Sequence, residues 1–593
     1  MLRRAVLPAF AAVALLAPAA RAAGPPTMPL SDVRAGMTCE ARTVIRGTEV
    51  VSFTARVDDV LRDGSDLRRA RLLVTVSGAA VEATGIGAGF SGSPLFCPGA
   101  DGTPRIAGAI SETIGQYGGT RVLATPIQAV LGEPVDPPRQ RASAARSRSL
   151  LSGARPLATP ITVGGLSPRL GAAVQRAARR AGRTVLLAPS ATADAAQALA
   201  APLVPGSAIA VGYATGDLSA GAVGTVSYVD GDAVWAFGHP LDGAGRRDLF
   251  LQAAYVYGVI DNPLSTEEAS TYKLSSPLAT IGALRQDGDS GVVGRLGPPP
   301  PAFPLRVTAR DKDTGRTQVL LSQLADERGI GFPVGYSALG SLAAPAAVQA
   351  LDEVLSGSPV RQSSDMCMKV AVKGRRKPLV LCNRYVGGGG DPDTLAQGAM
   401  ASDVSSVTAL LDEFDAAKLE ITGAEIGLRV RRGLALGRLV RITAPRLLTR
   451  GSTATLRASI RKPGGAIVTR RIRVPVPRFM PAGPRDLSLK GTEPDAASGG
   501  DSVDVDLSGL FGDAGSDGGQ DAPPAPSNVA KLVDAVSDLH RYDGVSARFL
   551  PPGAGDPEQL PGGAERFAQR SRRVFRDARI RIAGRARFRV FVR

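Results

Sequence analysis

The chain has 593 residues, enough for three or four domains of ~150 residues each. Its 44% hydrophobic content excludes wholesale disorder, and 70 Gly with 45 Pro stay below the ~25–30% that marks low-complexity chains. The formal charge of +17 is carried mostly by Arg, with only nine Lys, and no helix-turn-helix, RNA-binding or zinc-finger signature accompanies it; charge alone does not indicate a nucleic-acid partner.

Residues 1–22 read as a secretory signal peptide. Arg3 and Arg4 form a basic start, Ala5 to Ala19 an apolar run, and Ala20-Arg21-Ala22 an A-x-A cleavage site. Cleavage removes three Arg and leaves +14. No later apolar run is long enough to span a bilayer, so the expected location is secreted or extracytoplasmic.

Residues 23–135 read as short strands, at Glu49–Ala55, Arg71–Val76, Arg105–Ser111 and Arg121–Ala124. Residues 136–204 read as a linker and then a helix over Leu166–Ala181. A second strand-rich block spans 205–355, with strands at Gly224–Val229, Asp232–Phe237 and Phe303–Ala309 and a closing helix at Gln349–Leu355. Residues 356–480 are β by pattern. A hairpin there joins Thr453–Arg461 to Ala466–Val474 through Lys462-Pro463-Gly464-Gly465, and the segment is expected to be sandwich-like. Residues 481–526 are a Gly/Asp/Pro-rich linker, with eight acids and no base over 491–521. Residues 527–593 hold a helix, Asn528–Tyr542, and basic strands. Their Arg face, Arg579 to Arg589, is either a plain solvated surface or a contact for an anionic cell-wall polymer or membrane.

Four Cys in an exported chain predict two disulfides, most simply Cys39–Cys97 and Cys367–Cys382, with the other pairings left open. The Cys spacing, and the presence of only two His, His239 and His540, do not make a metal site. Neither a metal nor a cofactor is expected.

The segment richest in chemistry is Gly85-Ile-Gly-Ala-Gly89-Phe90-Ser91-Gly92-Ser93-Pro94. A nucleophilic Ser needs an accessible hydroxyl and converging backbone N–H groups to hold an oxyanion, and flanking Gly lets the loop turn to supply them. Ser91 is the candidate nucleophile, with the N–H groups of Gly89 and Ser91 as oxyanion donors. Ser93 is the alternative, but it has no Gly two residues upstream. The base would be His239, in Phe237-Gly238-His239-Pro240 directly after a strand, where the competing reading is a structural His. His540 lies among charged residues on the C-terminal helix and reads as a surface group.

These blocks resemble the SpoIVB-type serine peptidases and their bacterial relatives. Gly89-Phe-Ser-Gly-Ser-Pro94 and Arg105-Ile-Ala-Gly108 are similar to that family's Ser loop and following strand. Gly224 to Asp230 with Ala236-Phe-Gly-His239 is similar to its His block, and Thr280-Ile-Gly282 and Gly291-Val-Val-Gly294 to its downstream pattern. The resemblance covers about residues 30–130 and 205–310. It implies a mainly β, trypsin-like double β-barrel with Ser91 as nucleophile and His239 as general base.

Two departures accompany it. The Ser half precedes the His half here, the reverse of the sporulation enzymes, and the family's Asp position falls near Ser77. Asp242, after His239, is the substitute candidate for the orienting acid, with Asp248 behind it. The expected function is peptide-bond hydrolysis through a Ser/His acyl-enzyme. The alternative is a catalytically inactive peptidase-like envelope protein serving as a binding or structural module. A third is a wall-associated protein in which residues 360–593 dominate.

Overall fold

The computed structural model describes residues 24–593 apart from 63, 115–118, 158–159, 181–183, 189–201, 262–270, 329–336, 356–360, 389–394, 492–524, 540–543, 554–571 and 578–579. The expected signal peptide, His540 and most of the acidic linker lie outside the described residues.

Alternation of apolar and polar residues closes the first barrel. Its strands are β1 (Thr38–Thr43), β2 (Val51–Leu61), β3 (Arg71–Ser77), β4 (Pro94–Pro98), β5 (Pro104–Ile114) and β6 (Arg121–Pro126). In β2, Phe53, Ala55 and Val57 point inward while Ser52, Thr54 and Arg56 face solvent. The antiparallel order is β1-β2-β3-β6-β5-β4, and β4 pairs back onto β1. The disulfide Cys39–Cys97 ties the closing pair.

A second closed barrel follows, from β7 (Ala208–Gly216), β8 (Ser219–Asp230), β9 (Ala233–Ala236), β10 (Gly245–Asp261), β11 (Thr271–Gly288) and β12 (Gly291–Leu296). Its order is β7-β10-β11-β12-β9-β8, with β8 returning to β7. Counted from its own first strand, each barrel therefore runs first-second-third-sixth-fifth-fourth. Ser91 and His239 lie in equivalent places, the connection from third to fourth strand.

The barrels dock through backbone as well as side chains. Gly47 and Val256 exchange hydrogen bonds of 2.6 and 2.9 Å, and Ala88 donates to Thr271 while accepting from Lys273, each at 2.9 Å. The seam strand β8 is buried from Ala220 to Ser227, and its Ala and Gly residues let the opposing backbone approach closely.

Beyond β7 the sheet continues as an open layer in the order 317–325, 302–311, 421–432, 361–372, 379–388. The helices Ala338–Leu355 and Leu395–Asp412 share its apolar core. The disulfide Cys367–Cys382 joins its outermost hairpin. On the other flank Ile161–Gly164 pairs with β8 and runs parallel to Val185–Ala188, with the helix Pro168–Arg180 lying between them in sequence. A four-stranded and a five-stranded sheet, drawn from 436–592, share one core and form a sandwich.

Several expectations are corrected. In the segment 136–204 the expected helix is present as Pro168–Arg180, and its neighbours Ile161–Gly164 and Val185–Ala188 extend the second barrel's sheet and join the core shared with the open layer. The segment 356–480 is not all β: Leu395–Asp412 is helical, its inward Met400, Val404, Val407 and Leu411 following helical spacing. Nor is that segment one module. Strands 361–372, 379–388 and 421–432 join the open layer, and the sandwich begins at 436 and takes strands up to 592. The two disulfides fit an oxidising, extracytoplasmic environment. Among the described residues no helix is long and apolar enough to cross a membrane.

Candidate active site

The Ser loop is shaped by two glycines in the left-handed region, Gly89 at φ +90° and Gly92 at φ +93°. A Cβ on Gly92 would run into the carbonyl of Thr225 on β8. The Ser91 carbonyl accepts from the N–H of Thr225 at 2.8 Å, and the N–H of Gly92 donates to Ile110 on β5 at 2.7 Å. The N–H groups of Ala88, Phe90, Gly92 and Ser93 all donate to backbone carbonyls. Those of Gly89 and Ser91 donate to no acceptor among the described residues.

Ser91 is fully buried, and its Oγ has no hydrogen-bond partner among the described residues. This corrects the expectation of an accessible hydroxyl: the β8 backbone covers the loop. Ser93 is equally buried but donates to the Phe90 carbonyl at 2.7 Å. Of the two hydroxyls, only that of Ser91 is uncommitted.

His239 sits in a turn held by backbone strain. Phe237, at φ 70°, is the only non-Gly residue with positive φ among the described residues, a conformation that costs energy for a bulky side chain. Its N–H donates to the Thr225 carbonyl at 3.2 Å, and the next carbonyl, Gly238, accepts from Thr125 Oγ1 at 2.8 Å. A Cβ on Gly238 would sit 3.2 Å from the Ile110 carbonyl, the same oxygen that takes the N–H of Gly92. The two motifs therefore meet the same two residues, Thr225 and Ile110.

His239 is buried, and its Nδ1 lies 2.7 Å from the Pro240 carbonyl. A carbonyl can only accept, so Nδ1 carries the proton and Nε2 presents a lone pair. That Nε2 has no partner among the described residues, so it is not hydrogen-bonded to Ser91. Burial pushes the His239 pKa below its ordinary value, opposed by the Pro240 bond and by the charges of Glu112 and Asp287.

Asp242 does not orient His239, and this candidate is corrected. Its Oδ2 accepts from Tyr213 at 2.8 Å and from buried Arg247 at 2.9 Å, so its charge is committed elsewhere. Asp248 pairs with Arg285. Ser77 is exposed at the end of β3, opposite Thr54.

Besides Thr225, two residues that sequence reasoning missed shape the site. Buried Asp287 accepts from the N–H groups of Leu241, Asp242 and Ala244 at 2.7, 2.8 and 3.2 Å, fixing the turn behind His239. Lys273 on β11 is buried at the seam under the Phe90 ring and makes no ion pair among the described residues. Its Nζ donates to Thr43 Oγ1 at 2.6 Å and to Thr225 Oγ1 at 3.2 Å, and Thr225 Oγ1 donates to the Gly89 carbonyl at 2.9 Å. Burial lowers the Lys273 pKa to about 7. The signal in the sequence was faint: a rare Lys in an Arg-rich chain.

No family model, curated protein or solved structure matches this chain. The site is read from its own geometry. It holds an uncommitted hydroxyl, an imidazole lone pair, and two undonated N–H groups on the hydroxyl's loop.

Proposed function

We propose that the chain is an exported SpoIVB-like serine peptidase with a trypsin-like pair of barrels, hydrolysing peptide bonds through an acyl-enzyme. One observation carries this reading. The four groups that acyl transfer requires, Ser91 Oγ, His239 Nε2 and the N–H groups of Gly89 and Ser91, are all without a hydrogen-bond partner among the described residues. Buried polar atoms are nearly always paired, so four such atoms in two motifs that share Thr225 and Ile110 favour a functional reason. In the reaction His239 Nε2 takes the Ser91 proton and Oγ bonds to the peptide carbonyl carbon. The carbonyl oxygen becomes the oxyanion held by the two N–H groups. Collapse expels the amine, which takes the proton back from His239, and water then repeats the sequence to release the acid.

The triad acid has a substitute in this reading. The Pro240 carbonyl fixes the same tautomer that an Asp would, while the charges of Glu112 and Asp287 favour the imidazolium that forms during transfer.

The second reading, a silent peptidase-like binding scaffold, is favoured by the complete burial of Ser91. A fluorophosphonate probe separates the two. The active peptidase is labelled, slowly because the site must open, and Ser91→Ala abolishes labelling while Ser93→Ala keeps it. A folded protein that stays unlabelled through prolonged exposure is the scaffold.

A further inference from the structure

From residue 436 to 491 the chain carries thirteen Lys and Arg against one acid, Asp486. The C-terminal strands are strongly basic as well. In those strands Arg581 is buried, while Arg587 and Arg589 both pair with Asp486.

The four-stranded sheet shows where the charge goes. Its inward residues, Leu456, Ala458, Ile460, Ile472 and Val474, fill the sandwich core. Its outward positions carry Arg438, Arg441, Arg457, Arg461, Arg471 and Arg473. Arg457 stands directly opposite Arg471, and Arg461 opposite Arg438. Like charges in cross-strand register are destabilising, and no acid pairs with any of the six among the described residues. A face held at that cost suits an anionic partner.

Large apolar side chains are exposed at the two ends of the sheet's edge strand. Ile467, which opens the edge strand 467–475, is 57% exposed, and Phe479, in the turn that follows it, is 97% exposed. A phenyl ring in open water, four residues past the edge strand of a cationic sheet, has the composition of an interfacial anchor, with a ring for the acyl boundary and Arg for phosphate headgroups.

We propose that this sheet face docks on an anionic lipid membrane, with Phe479 inserting and the Arg ladder resting on lipid phosphates. Arg suits this role because its planar fork holds phosphate oxygens in pairs. The proposal is independent of the peptidase reading.

The test uses the mature chain, residues 23–593, and vesicles of phosphatidylcholine with or without about 30% phosphatidylglycerol. The protein is expected to sediment with anionic vesicles and to be released as salt rises towards about 0.5 M. Arg457→Gln with Arg471→Gln is expected to weaken binding about thirtyfold, at about tenfold per ~1.4 kcal/mol and ~1 kcal/mol per basic residue. That pair relieves a repulsion, so its thermal midpoint should not fall. Phe479→Ser is expected to weaken binding while leaving the salt dependence unchanged. Equal sedimentation with both vesicle types overturns the proposal. So does binding to soluble poly(glycerol phosphate) without binding to vesicles, which would make a wall polymer the partner.

Discussion

The N–H of Thr225 donates to the carbonyl of Ser91 across the seam between the two barrels, at 2.8 Å. The same residue gives its carbonyl to Phe237 and its hydroxyl to the Gly89 carbonyl, while that hydroxyl accepts from Lys273. One threonine thus gathers the Ser91 loop, the histidine turn and a buried amine. Mutual placement of Ser91 and His239 is a property of the seam, and perturbing the seam should perturb reactivity before it unfolds either barrel.

Gly92 tests that directly. Its φ of +93° disfavours any side chain, and a Cβ would strike the Thr225 carbonyl. Gly92→Ala should destabilise the protein by about 1–3 kcal/mol and cut fluorophosphonate labelling more than that loss explains. Differential scanning calorimetry and labelling rates on the same sample check both. Unchanged values would mean the seam is looser than described.

Lys273 predicts a pH dependence of stability. Its pKa is about 7 folded and 10.5 in the unfolded chain, so between these values the unfolded state binds the extra proton. Stability should therefore rise with pH across that window, by about 1.4 kcal/mol per pH unit from this group, and be flat in this term below it. Lys273→Met should remove that rise, measured by urea unfolding at pH 7 and pH 9. The same slope in the variant would place the amine in water.

His239 predicts where reactivity falls. Its folded pKa lies below the ordinary 6.5, mainly through burial, and only the neutral ring can accept the Ser91 proton. Labelling should hold from pH 8 down through about 6.5 and decline only at lower pH. Stability follows the same sign. The unfolded chain takes up the proton first, so the group's contribution is present above 6.5 and lost as pH falls from there towards the folded pKa. A labelling midpoint above 6.5 would indicate an imidazole stabilised in its charged form, contrary to its burial.

The sequence disclosed the site's moving parts more readily than its frame. Ser91, Gly89 and His239 were legible because Gly and Pro punctuate short loops whose chemistry is local. Asp287, Thr225 and Lys273 were not, since they reach the site through sheet register from strands 43 to 230 residues away from the groups they hold. Asp242 misled because nearness to His239 along the chain does not survive the turn, which sends its carboxylate to Tyr213 and Arg247. The hairpin at Lys462 was legible from alternation and turn residues. The helix Leu395–Asp412 was not, because its Ala, Ser and Gly residues blur the helical spacing.

The pairing of Ser91 with His239 is tested most directly by the rate at which a fluorophosphonate adduct forms on the Ser91 peptide, read by mass spectrometry. Wild type should carry the adduct on Ser91, and His239→Gln, with its fold checked by circular dichroism, should slow its formation by about 10²–10⁴-fold. An adduct that forms at the same rate without His239, or that resides on Ser93, would contradict the account.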